Sequence, residues 1–205
     1  IHSNVNFSDI EQVSVSNAIL KATSDNEDII INGDQEIYVA GISFAGLDGV
    51  DAGAGTDSVF VENTNSVSLT GINHQVSSSG LLFTEVDVVN GGQVEGTLGV
   101  DTWLLTGSAS ELITAGINFK GISQVNGNGG IDTLTASAGN DQFEILSSGS
   151  LLTAGVEFSD VSSVDGNGGE DTVTAYGSSW AASTSGETII DNAAVATLGS
   201  ISVIF

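Results

Sequence analysis

The stretch Phe119-Lys120-Gly121-Ile122-Ser123-Gln124-Val125-Asn126-Gly127-Asn128-Gly129-Gly130-Ile131-Asp132-Thr133-Leu134 contains the two motifs from which the rest of the chain is built. Its first half, Phe-x-Gly-Ile-x-x-Val, returns in variant form from Phe7 to Val13, Phe44 to Val50, Phe83 to Val89 and Phe158 to Val164, with a weaker copy at Leu198, Ile201 and Ile204. The steps between copies are 37, 39, 36, 39 and 40 residues. A period of that size marks an array whose units cannot bury an apolar face alone and so stack on their neighbours. The register is tight. Leu134 to Phe158 aligns without a gap onto Leu20 to Phe44, placing Phe143 on Ile29, Leu151 on Ile37 and Gly155 on Gly41. Length differences follow Val89 and precede Gly116, and they belong in loops, because one residue inserted in a strand would turn its apolar set outward.

Within a repeat the apolar residues come in short alternating pieces, such as Asp141 to Ile145 and Gly155 to Phe158. Between them lie clusters of Gly, Asn, Asp and Ser, for example Asn126 to Gly130 and Ser137 to Asn140. Period two, broken by residues that tolerate positive φ, reads as strands and tight turns. The expected fold is all-β, a parallel β-solenoid of the β-helix or β-roll kind with about five repeats of 36–40 residues. A propeller with one blade per repeat is the alternative; the short strands, dense glycines and absence of a Trp-Asp blade signature favour the solenoid. In it a repeat would fill one large coil or two coils of about 19 residues, with Phe7, Phe44, Phe83, Phe119 and Phe158 forming an axial ladder continued by Leu198. No proline-rich or charge-rich linker divides the chain, so residues 1–205 read as one continuous array, with motifs starting near 7, 44, 83, 119 and 158 and a partial copy at 198.

Composition limits the partners. Two lysines against 26 acidic residues give a net charge of 2 − 26 = −24. Nucleic acid requires a basic surface and is excluded, as is an anionic membrane face. No apolar run approaches the ~18 residues of a membrane span. Cysteine is absent, which removes disulfides and thiolate chemistry. The chain opens on Ile1 with neither methionine nor a signal segment, and reads as part of something longer or as a processed form.

The second half of the opening stretch carries what chemistry there is. Glycine-rich turns end in aspartate at Asp57, Asp101, Asp132 and Asp171, and Gly139-Asn140-Asp141 adds another nine residues after Asp132. Hard oxygen ligands on a glycine turn suit Ca²⁺, which takes several oxygens at flexible geometry. The same residues are also the ordinary material of tight turns, where Asp caps the backbone. Both readings of Asp57, Asp101, Asp132, Asp141 and Asp171 stand at this point.

These segments resemble the Gly-Gly-x-Gly-x-Asp nonapeptides of RTX-type β-rolls, in degenerate form. With Phe-x-Gly-Ile-x-x-Val the whole repeat resembles those of giant secreted bacterial surface proteins, adhesin-like or RTX-like in type. The resemblance implies Ca²⁺ as the one cofactor to expect, an extracellular or cell-surface location, and a structural or adhesive role. It transfers no catalytic residue.

An enzyme is not expected. Lyases acting on acidic sugars need a base and a cation, and only Lys21 and Lys120 are available, at positions that read as solvated. Asp160, Asp165, Glu170 and Asp171 could be imagined as glycosidase carboxylates, but their spread through the repeat points to turns. His2 and His74 have no second histidine at ligand spacing, and Trp103 and Trp180 read as packing residues. Three functions remain: a non-enzymatic structural segment of a bacterial extracellular fibre, matrix or large adhesin; a calcium-dependent RTX-like module; or a carbohydrate-binding or carbohydrate-cleaving β-helix domain. The expected partners are the chain itself end to end, through Ile1 to Val13 and Ile201 to Phe205, or flanking repeats of a longer chain, with glycans as a further candidate.

Overall fold

The computed structural model describes residues 9–32, 35–62, 65–175, 182–183, 188–191 and 202–204, and every described element is a strand. A long β1 (Gln12–Lys21) opens the array, followed by β2 (Asp28–Asn32), β3 (Glu36–Val39) and a long β4 (Ile42–Asp51). Three units of five strands come next. They are β5 (Ser58–Phe60), β6 (Ser66–Leu69), β7 (Gln75–Ser78), β8 (Leu81–Thr84) and β9 (Val88–Asn90); then β10 (Gln93–Glu95), β11 (Thr102–Leu105), β12 (Glu111–Thr114), β13 (Ile117–Lys120) and β14 (Gln124–Asn126); then β15 (Thr133–Thr135), β16 (Gln142–Ile145), β17 (Leu151–Thr153), β18 (Val156–Ser159) and β19 (Ser163–Asp165). The last strands are β20 (Thr172–Ala175), β21 (Ala182–Ser183), β22 (Thr188–Asp191) and β23 (Ser202–Ile204).

Strand pairing resolves into two ladders. The front ladder runs β3-β2-β5-β9-β13-β12-β11-β15-β19. The back ladder runs β8-β7-β6-β10-β14-β18-β17-β16-β20. The two meet at β4, which pairs with β3 on one side and β8 on the other, with β1 alongside. Alternate residues of each strand point inward, and those of both ladders form one continuous core, from Ile29 to Val173. The fold is a β-solenoid of stacked parallel strands, as the sequence predicts.

The pitch is not what the sequence period suggests. Ile29, Val59, Val89 and Phe119 stand in register on successive front strands, 30 residues apart. Val67, Val94, Val125 and Phe158 do the same at the back, 27, 31 and 33 residues apart. A rung is therefore about 30 residues, neither 19 nor a full repeat. The reason is that β3, β7, β12 and β17 fold back antiparallel within their sheets. Each sequence repeat spells five strands, while parallel stacking joins strands four apart, as in β5 on β9 or β14 on β18. The surplus of about nine residues is one returning strand with its turn.

The phenylalanine ladder is consequently not formed. Phe119 lies between Val89 and Leu112, Phe158 between Val125 and Leu151, Phe83 between Val50 and Val76, and Phe44 between Val13 and Ile37. Phe83, Phe119 and Phe158 are buried, as expected, and Phe44 is half-buried. Each marks the seam where a parallel run gives way to the returning strand. Phe7 and Leu198 lie outside the described residues.

Local chemistry explains the path. The third residue of the Phe motif is Asp9, Gly46, Glu85, Gly121 or Asp160, and every one has positive φ, between 54° and 77°. That left-handed residue turns the chain out of one sheet so that the next residue, Leu47, Val86, Ile122 or Val161, is buried at the corner. The returning strand closes through Ala40-Gly41, Ser79-Gly80, Ala115-Gly116 or Ala154-Gly155. Both residues of each pair have positive φ, as a two-residue type I′ hairpin demands.

Candidate functional site: the acidic turns

The aspartates singled out from sequence sit at the starts of stacked strands, and their roles depend on what lies beneath them. Asp57, Asp132 and Asp171 each stand above another acidic residue one coil earlier. Asp57 Oδ1 accepts the backbone N–H of Glu27 at 2.8 Å, Asp132 Oδ1 that of Asp101 at 2.8 Å, and Asp171 Oδ1 that of Asp141 at 2.9 Å. Asp87 continues the series, accepting the N–H of Asp57 at 3.0 Å. In each case the carboxylate staples the coil below by satisfying a main-chain donor, a charge-assisted bond stronger than a neutral one.

Glu27, Asp101 and Asp141 precede β2, β11 and β16, whose other neighbour is a returning strand. They have no parallel coil beneath them and cap their own loops instead. Thr97 gives Asp101 Oδ2 both its N–H, at 2.7 Å, and its hydroxyl, at 3.0 Å. Ser137 gives Asp141 Oδ2 its hydroxyl at 2.8 Å, and Thr23 does the same for Glu27 Oε1. The donor is four residues back in all three.

Burial sets the electrostatics. Asp57 and Asp132 are fully buried and Asp171 nearly so. Burial pushes the Asp57 carboxyl above the usual carboxylate range, against the N–H of Glu27, and the Glu27 carboxylate beside it pushes the same way. Burial likewise raises Asp132, opposed by the Asp101 N–H and reinforced by the charges of Asp101 and Asp160. Asp57 Oδ2, Glu27 Oε2 and Asp132 Oδ2 are buried without a hydrogen-bond partner. Space for the Asp132 carboxylate depends on a glycine. A Cβ on Gly127 would stand 2.5 Å from Asp132 Oδ2 and collide with the Asp160 carbonyl.

The structure thus brings Asp101 to Asp132, Asp141 to Asp171, and Asp57 to Glu27 and Asp87, in three separate places. Among the described residues no group of three or more His, Asp or Glu side chains is placed to share a metal ion. Oδ1 of Asp57, Asp132 and Asp171 is turned to backbone N–H groups and Oδ2 of Asp101 and Asp141 to Thr97 and Ser137, while Asp57 Oδ2, Glu27 Oε2 and Asp132 Oδ2 are unpartnered. Glu27, Asp87, Thr97 and Ser137 were not singled out from sequence. Their signal is the spacing of thirty from Glu27 to Asp57 to Asp87 and a Ser or Thr four residues before each loop-capping acid.

The remaining candidates are held in ordinary contacts. Lys21 pairs with Asp51 at 3.2 Å and Lys120 with Glu111 at 3.7 Å. His74 Nδ1 lies 3.0 Å from the Val86 carbonyl and 3.4 Å from Asp87 Oδ1. Asp165 Oδ1 accepts the Asn167 N–H within its own turn, and Trp103 is fully buried beside Leu134. His2 and Trp180 lie outside the described residues. Among those residues no helix is long and apolar enough to cross a membrane.

Fold and turns together define a β-solenoid repeat protein. No protein-family model, curated protein or solved structure matches the chain.

Proposed function

We propose that this chain is a non-enzymatic structural segment of a bacterial extracellular fibre, matrix or large adhesin, and that it works as a stiff acidic spacer at the cell surface. The observation that carries this reading is the continuity of the two ladders and their shared core, together with the stapling of coil to coil by Asp57, Asp87, Asp132 and Asp171. Such an array resists bending because each unit shares main-chain bonds with its neighbours. The charge of −24 keeps neighbouring copies soluble and apart along their flanks. The resemblance to secreted surface repeats supports the location.

The test is electron microscopy and sedimentation of the full chain over a concentration series in physiological salt. End-to-end fibres are expected, lost on deletion of Ile201 to Phe205 while the β-sheet circular dichroism persists. A chain that stays monomeric at every concentration argues against self-assembly and leaves only the role of a segment within a longer protein.

A calcium-dependent module is the second reading, favoured by one observation: the unpartnered buried oxygens of Asp57, Glu27 and Asp132. It requires Ca²⁺ to raise the melting temperature beyond what Mg²⁺ does at equal ionic strength.

A further inference from the structure

The two ladders differ on their outer surfaces. At the back, Gln93, Glu95, Gln124, Asn126, Glu157 and Ser159 line a polar hollow of about 200 Å³. At the front, Tyr38, Ile30 and Phe60 lie side by side on β3, β2 and β5, with Ile30 in register between the two rings. They are 38, 37 and 38% exposed. Isolated surface apolar residues need no explanation; an apolar row rimmed by polar residues has the form of a binding surface.

We propose that this row binds a neutral, extended β-linked polysaccharide. Tyr38 and Phe60 are two strands apart, about 10 Å on the strand spacing of a sheet, which is comparable to the length of a disaccharide unit in such a chain. Aromatic faces suit the C–H faces of sugar rings, and a tyrosine adds a hydroxyl at its rim. Both borders of the row are rich in acceptors. Asp28 and Ser58 face each other along one side, and Asn32 and Glu36 along the other. These are partners for sugar hydroxyls lying in the plane of the chain.

Charge excludes anionic occupants. With 26 acids against two lysines, acidic polysaccharides, nucleic acid and the flank of a second copy are repelled. A neutral polyol is not. The platform is independent of the spacer role, since one uses the side of the array and the other its ends.

The experiment is retention of the full chain on microcrystalline cellulose and on chitin, with affinity electrophoresis in soluble hydroxyethyl cellulose and in alginate. Retention by a neutral glycan, insensitive to salt, is expected. Phe60→Ala and Tyr38→Ala should each weaken it about ten-fold, and Phe60→Leu, which keeps the apolarity but loses the flat ring, should do nearly as much. Leu104→Ala, four strands further along the same face, should bind as the unaltered chain does. Four outcomes would overturn the proposal: no retention on any neutral glycan, retention that survives the Tyr38→Ala/Phe60→Ala pair, binding confined to alginate, or a dimer that Phe60→Ala dissociates. The last would assign the row to a second copy of the chain.

Discussion

Asp101 and Asp132 follow similar glycine-bearing turns and precede similar strands, yet they are bonded differently. Asp101 caps its own loop, with Thr97 donating twice to Oδ2. Asp132, one coil on, spends Oδ1 on the backbone of Asp101 and leaves Oδ2 buried without a partner. The difference is positional. The first coil of a parallel run has no donor below it and must be closed locally; later coils are closed by the coil before. The same contrast separates Glu27 from Asp57, and Asp141 from Asp171. An acid at the same place in the turn therefore does two jobs, and the presence of Ser or Thr four residues upstream tells them apart.

Four substitutions test that contrast. The largest effect is expected from Gly127→Ala, because the added methyl collides with the Asp160 carbonyl, displaces the Asp132 carboxylate and orphans the Asp101 N–H. Overpacking and a lost buried bond together cost roughly 3 kcal/mol, read as a shift of the urea midpoint at constant slope. A loss under about 1 kcal/mol would mean that the staple contributes little.

Asp101→Ala should cost about 2 kcal/mol, the scale of hydrogen bonds to a charged group, while Thr97→Val, which keeps the N–H bond and loses the hydroxyl, should cost about half as much. Equal losses would show that the Thr97 hydroxyl, which also accepts the Gly99 N–H, contributes as much as the Asp101 carboxylate.

The smallest effect has the opposite sign. Asp57→Asn keeps an acceptor for the Glu27 N–H, removes a buried charge, and offers the unpartnered Glu27 Oε2 a donor, so stability at pH 7 should rise by roughly 0.5–1 kcal/mol. The folded-state proton affinity of Asp57 is raised, so its contribution to stability is fully present below the unfolded carboxylate value of about 3.9 and is lost as pH rises through the higher folded value. The unaltered chain should therefore gain stability on acidification from pH 7 by an increment that Asp57→Asn lacks. Melting temperatures of the two proteins that stay parallel all the way from pH 7 down to the unfolded carboxylate value of about 3.9 would refute the burial argument.

Much of the fold was legible because strand patterns are local. The alternation at Gln142 to Ile145 and at Val156 to Phe158 predicts strands, and the gapless alignment of the repeats identifies equivalent positions correctly: Phe143 and Ile29 both open a three-stranded meander. What alternation cannot reveal is direction. Leu151 to Thr153 alternates inward and outward as its neighbours do, whether the strand runs forward or back. Hence the repeat of 36–40 residues suggests one large coil or two of about 19, and places equivalent phenylalanines in contact. The aspartates were recognisable as turn residues for the same local reason. Which of them keep an unpartnered oxygen depends on the coil beneath, which sequence spacing shows only once the pitch of thirty is known.

The mismatch between five strands spelled and four strands stacked acts as a vernier. The meanders of successive repeats fall alternately on the front and the back of the array: β2 and β3 in front, β6 to β8 behind, β11 to β13 in front, β16 to β18 behind. A gene that lengthened this protein by one repeat would show its newest meander on the opposite flank, whereas duplication by two would restore the original side. Any ligand or neighbour that reads one flank would meet a matching meander only at every second repeat, so growth of the array by pairs is the route that preserves a one-sided surface.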